Sequence, residues 1–204
     1  LRCLVGSEMC IRDRDKGRLQ RMSIFYRSLS LVALLALLGA CAGTAENPRS
    51  TGMLIDDNIL EVMIEREIRA SDESFKGSHI VVAVYNGLVL LLGQVASEQL
   101  KSQASAVTES LYRVDPSKVH NHLTVGGPIS MLARTNDSML TAKVKARLLA
   151  SKQVKGLKIK VISENGTVYL MGTVTTEQSA AAVEEATKSF GVQRIVKVFE
   201  YTDL

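Results

Sequence analysis

The sequence predicts an α+β fold built twice. Each copy runs αββαβ, with a three-stranded mixed sheet and two helices packed on one of its faces. Three observations carry this: the chain matches itself at a spacing near 80 residues, each copy has an Asn-Gly between two β-rich runs, and each opens on a helical apolar stripe. Repeats of this length are whole small domains, since solenoid units run ~20–50 residues.

The first segment, "DDNILEVMIEREIRA" ending at Ala70, aligns with "NDSMLTAKVKARLLA" ending at Ala150. Leu60, Ile64 and Ile68 recur every fourth residue, and Leu140, Val144 and Leu148 repeat them, so each segment is a helix with one apolar face. Asp57 and Asp137 precede these stripes and are the expected N-caps. Two strands follow, joined at Asn86-Gly87 and Asn165-Gly166. A type I′ turn needs positive φ twice, which Asn-Gly tolerates best. The strands "NGLVLLLGQV" and "NGTVYLMGTV" place Gly93 and Gly172 at matching positions, where a strand end or a close backbone approach is expected. Second helices are expected from Ser97 to about Tyr112 and from Thr175 to about Phe190, with Ser97 and Thr175 as caps. Final strands are expected over Lys118 to Val125 and Arg194 to Tyr201, reached by right-handed crossovers.

The domain plan follows. Residues 1–21 carry six basic and three acidic groups, show no periodicity and read as a non-native upstream extension. Residues 22–40 read as a signal peptide, with Arg27 in its basic region and Leu29 to Leu38 as its apolar core. That core is far shorter than the ~20 residues a spanning helix needs. It ends in Leu38-Gly39-Ala40-Cys41, which resembles the lipobox of bacterial lipoproteins, so Cys41 is the expected site of lipid attachment. Under the sorting rule of such lipoproteins, Ala42 rather than Asp implies the outer membrane. Residues 41–55 read as an acylated tether, 56–126 as the first domain, 127–135 as a linker around Gly126-Gly127-Pro128, and 136–204 as the second domain.

Charge and cysteine content narrow the classes. From Cys41 onward there are 18 basic and 18 acidic residues, so the exported part is neutral. The distribution is polarised: residues 41–127 have 7 basic and 11 acidic groups, residues 128–204 have 11 and 7. Cys41 is the one cysteine in that part, which leaves no disulfide framework and no cysteine metal site.

The αββαβ order, the paired glycines of the two hairpins and "VHNHLTV" resemble the BON domain, a small periplasmic module, over nearly all of Asp56 to Tyr201. Two copies behind a lipobox, with "NPRSTG" before the first, are similar to dual-BON outer-membrane lipoproteins. The resemblance implies a non-enzymatic protein without cofactor that binds anionic phospholipid and supports outer-membrane integrity. It also implies that the first helix of the second domain makes the lipid contact. Met139 stands where that family has Trp, and Met is the weaker interfacial anchor.

The residues of that helix speak to the same point. Met139, Ala142, Ala146 and Leu149 form a second stripe, rotated away from the core stripe. Lys143, Lys145 and Arg147 flank it, and Lys152, Lys155, Lys158 and Lys160 follow, with no acidic residue between Ser138 and Ile162. Apolar tips bordered by Lys and Arg suit a helix resting among headgroups. The expected lipid-binding set is therefore Met139, Ala142, Lys143, Ala146, Arg147 and Leu149. A second reading stays open: the stripe packs against the first domain, whose helix carries Ile59, Val62 and Met63 beside Glu61, Glu65 and Glu67.

Other signals carry less. His120 and His122 share a strand face without an evident third metal ligand. No nucleophile motif or phosphate loop is present, so neither catalysis nor a small-molecule substrate is expected. An exported chain without stacking aromatics near its basic cluster is not expected to bind nucleic acid. The alternative function is a periplasmic adaptor that binds an envelope protein, such as an outer-membrane protein assembly factor.

Overall fold

The structure, a computed structural model, describes residues 50–203. The upstream extension, the signal peptide and Cys41 lie outside the described residues. Asn47–Leu204 form a compact unit. Each repeat in it has its own apolar core, and a third apolar cluster joins the two.

The first repeat contains α1 (Thr51–Ser71), β1 (His79–Tyr85), β2 (Leu88–Val95), α2 (Glu98–Glu109), β3 (Val119–Asn121) and β4 (Thr124–Val125). The second contains α3 (Met131–Ala150), β5 (Ile159–Glu164), β6 (Thr167–Val174), α4 (Thr176–Thr187) and β7 (Arg194–Tyr201). In each sheet the middle strand pairs antiparallel with its hairpin partner and parallel with the final strand. The sheets are mixed, as expected. The final strand of the first repeat is interrupted at His122 and Leu123 but keeps one register, Leu91 opposite Asn121 and Gln94 opposite Thr124. There the Asn121 side chain accepts from the Leu123 N–H at 3.0 Å, and Leu123 is buried in the core.

The helix starts differ from expectation. α1 and α3 are capped by Ser50 and Ser130, whose hydroxyls accept from Met53 N and Ala133 N, each at 3.2 Å. The end of the 41–55 tether and part of the 127–135 linker are therefore helical. Asp57 and Asp137 are not caps of their own helices. They lie on the buried face one turn before the core stripe and reach the hairpin turns. Asp137 accepts from Asn165 N at 2.9 Å and Gly166 N at 3.0 Å; Asp57 accepts from Asn86 N at 2.9 Å and Gly87 N at 3.2 Å. The turns are the expected tight ones, with positive φ at Asn86, Gly87, Asn165 and Gly166. An acidic residue before an apolar run suggests a helix start from sequence. Here the first turns of each helix overhang the core, so no apolar period reveals them.

The two repeats meet sheet to sheet. Leu60, Ile64, Ile68 and their partners fill one core under α1 and α2; Leu140, Val144 and Leu148 do so under α3 and α4. The opposite faces of the sheets contribute Ala83, Tyr85, Leu88, Leu90, Leu92, Tyr169, Met171 and Val198 to the shared cluster. The layers run helices, sheet, sheet, helices. Every residue of β2 is buried, which explains its unbroken apolar run: a strand covered on both faces does not alternate. Polar groups stitch the seam. Tyr85 OH donates to Lys158 O at 2.6 Å, Gln94 donates to Glu164 at 2.8 Å, Lys118 pairs with Glu200 at 2.7 Å, and Lys160 pairs with Glu61.

His122 sits beside this seam, its ring edge-on to Tyr169 with centroids 5.5 Å apart. Burial lowers its pKa, and the nearby charges of His120, Lys101 and Arg194 act the same way. The folded protein then binds the proton less readily than the unfolded chain. Stability from this group is present above the ordinary histidine range, near 6.5, and is lost as pH falls through it. Melting temperatures measured from pH 8 down to pH 5 are expected to fall less steeply in His122→Phe than in wild type. Identical slopes would remove His122 from the account.

Candidate membrane-binding site

α3 divides cleanly into two faces. Asp137, Leu140, Val144 and Leu148 are buried, while Met139, Ala142, Lys143, Ala146, Arg147 and Leu149 are all exposed. Met139 and Leu149 keep 54% and 50% of their surface open, large values for apolar side chains that a neighbouring domain would otherwise cover. The reading in which this stripe packs on the first repeat is thus overturned, because the sheets form that contact. The earlier helix start adds Met131, 73% exposed and on the same line. From Met131 to Leu149 the outward stripe runs about 27 Å at 1.5 Å per residue.

The basic groups sort into two kinds. Lys143 and Arg147 form no ion pair among the described residues, and Lys152 and Lys155 are also exposed. Lys145 turns inward instead, donating to Gly156 O at 2.8 Å and Ile159 O at 2.5 Å, and so holds the loop before β5. Lys160 is engaged by Glu61 and by Val84 O at 3.1 Å. Lys145 and Lys160, expected from sequence to add to the basic surface, are spent on the fold. The outward face keeps free charge where it borders the apolar stripe.

α1 presents a related but different face. Ile55, Ile59 and Val62 are exposed, with Met63 and Arg66 beside them around a shallow apolar groove. Its cations are answered locally, Arg66 by Glu67 and Arg69 by Glu65, both at 2.9 Å, and its Asp56 pairs with Arg113 from beyond α2 at 3.1 Å.

Two αββαβ units with matched hairpin turns are now in place, and the BON domain model matches residues 56–127 and 136–203. The chain belongs to the BON domain family. It is 42% identical over 163 residues to the outer membrane lipoprotein DolP of Haemophilus influenzae, covering 79% of this chain and 83% of that protein. It is 33% identical over 155 residues to the 21 kDa hemolysin of Actinobacillus pleuropneumoniae, covering 76% and 79%. It is 25% identical over 146 residues to the osmotically-inducible protein Y of Escherichia coli, covering 72% of each.

Within the second BON domain, one element of the exposed face was missed from sequence. Phe190, read there as the end of a helix, lies beyond α4 in the turn before β7 and is 91% exposed. It lines one cleft of about 410 Å³ with Met139, Lys143, Asn136, Asn165 and Gln193. A single aromatic at a helix end has no periodic signature; only the fold brings it to α3. Among the described residues no cluster of three or more His, Cys, Asp or Glu side chains could hold a metal ion, and no helix is long and apolar enough to cross a membrane.

Proposed function

We propose that this chain is a lipid-anchored protein at the periplasmic face of the outer membrane, held by acyl chains on Cys41. It binds anionic phospholipid through the outward face of α3 and so supports outer-membrane integrity, acting as a binding protein without catalysis. The observation that carries this is the open stripe of Met131, Met139, Ala142, Ala146 and Leu149, bordered by Lys143 and Arg147, which form no ion pair among the described residues. Each basic group near an anionic surface contributes about 1 kcal/mol, screened within a Debye length. Full burial of Met139 or Leu149 adds roughly 1.5–3 kcal/mol each. Such contacts are modest for a free protein. With the chain tethered to the same membrane they suffice, because the effective concentration is high.

The test uses residues 47–204, which carry no acyl chain and include all three apolar clusters. Vesicles of equal phosphatidylglycerol and phosphatidylcholine are expected to shift amide signals between Met131 and Leu149. Pure phosphatidylcholine should not, and 0.5 M salt should weaken the effect. Equal binding to both vesicles, or shifts confined to the first domain, would sink the proposal. The adaptor reading draws on α1, whose apolar groove with internally paired charges suits a protein surface better than an anionic one.

A further inference from the structure

Among the described residues, Phe190 is the most exposed large apolar side chain of the second repeat, yet its backbone is held on both sides. Ser189, buried, donates to Ala186 O at 3.0 Å, Val192 donates to Ser189 O at 3.3 Å, and Gln193 donates to Gly166 O at 2.9 Å. Gly191 takes φ of 103°, a conformation side chains disfavour, which turns the chain sharply right after the ring. The turn thus holds a phenyl group out in water. It lines one cleft together with Met139 and Lys143 of α3. The one carboxylate lining that cleft, Asp137, has its oxygens occupied by the hairpin N–H groups, while Asn136, Asn165 and Gln193 supply amides. Two apolar prongs around a cation and amide donors match a phospholipid at its glycerol level, with phosphate below and acyl carbon beside it. Phe is among the side chains that interfacial elements bury at the boundary of headgroups and acyl chains.

We propose that Phe190 is a second insertion point, and that it and Met139 straddle a phospholipid whose phosphate meets Lys143. This rests on the lipid reading of α3 and adds a residue from a different element to it. Tyr112 supplies an internal comparison. It is the matching residue of the first repeat and is fully exposed, but Met63 stands where Lys143 does and Arg113 beside it is tied to Asp56. The same exposure without free positive charge should not insert.

The chain contains no Trp, so single replacements report unambiguously. Phe190→Trp, Met139→Trp and Tyr112→Trp are made in residues 47–204 and mixed with the equal phosphatidylglycerol and phosphatidylcholine vesicles. Emission should move to shorter wavelength, and be quenched by acyl-brominated lipid, for Trp at 190 and at 139 but not at 112. Phe190→Ser, a surface change, should weaken vesicle binding about tenfold, the factor expected for partial burial of a phenyl ring. If position 139 responds and 190 does not, or if Phe190→Ser binds as wild type, this inference falls and the lipid reading survives. If 112 responds as 190 does, the second-repeat assignment falls. If 139 and 190 are both silent, the lipid reading falls and takes this inference with it. An equal response of position 190 to soluble glycerol phosphate would assign the cleft to free phosphate and overturn insertion.

Discussion

Changing Lys143 and Arg147 together to Glu is expected to reduce binding to anionic vesicles about a thousandfold, to the level seen with uncharged vesicles. Each reversal removes about 1 kcal/mol of attraction and adds a similar repulsion, so two reversals amount to roughly 4 kcal/mol, or about three decades. The pair is chosen because both side chains are exposed and outside any ion pair among the described residues, so folding should be untouched. Lys145→Glu would be the wrong test, since that ammonium bonds Gly156 O and Ile159 O and its loss would loosen the loop before β5. Co-sedimentation at low salt reads the result. Retained binding in the double variant, with an unchanged melting curve, would remove electrostatic docking by α3 as the explanation.

The second large effect concerns stability. Asp137→Ala is expected to destabilise the second repeat by about 3–5 kcal/mol, since it deletes two charge-assisted hydrogen bonds and strands the N–H groups of Asn165 and Gly166. For a unit of this size that is a loss of roughly 10 °C or more in Tm, read by circular dichroism. Asp57→Ala should act likewise on the first repeat through Asn86 and Gly87. The hairpin ends near the cleft of Met139 and Phe190, so a loosened turn should also blur the binding face. A melting curve matching wild type would mean the turns hold their own shape without the carboxylates.

These two aspartates show where sequence reasoning works and where it stops. Their position one turn before an apolar stripe was legible, and so was the Asn-Gly turn some 28 residues later in the second repeat. That one clamps the other was not, because a hydrogen bond between distant segments leaves no local pattern. The same limit applies to Lys145 and Lys160, identical in sequence to any surface lysine yet engaged at a loop and at the seam between repeats. Conversely, Met139, Ala142, Ala146 and Leu149 could be assigned to the outer side of a helix at once, since 3.6 residues per turn fixes which side chains lie opposite the core.

By itself the sequence determined the repeat, the order of its elements, the tight turns and the two faces of α3, all properties of local period and turn chemistry. Only the tertiary structure decided which surfaces the two domains use on each other. The outward-facing residues of β2 and β6 include Leu88, Leu90, Leu92, Tyr169 and Met171, while two of the four positions in the α3 stripe are alanines, so the larger apolar side chains to bury lie on the sheets. With the sheets packed on each other, the outer stripe of α3 stays uncovered, and Phe190 stays exposed at the cleft beside it.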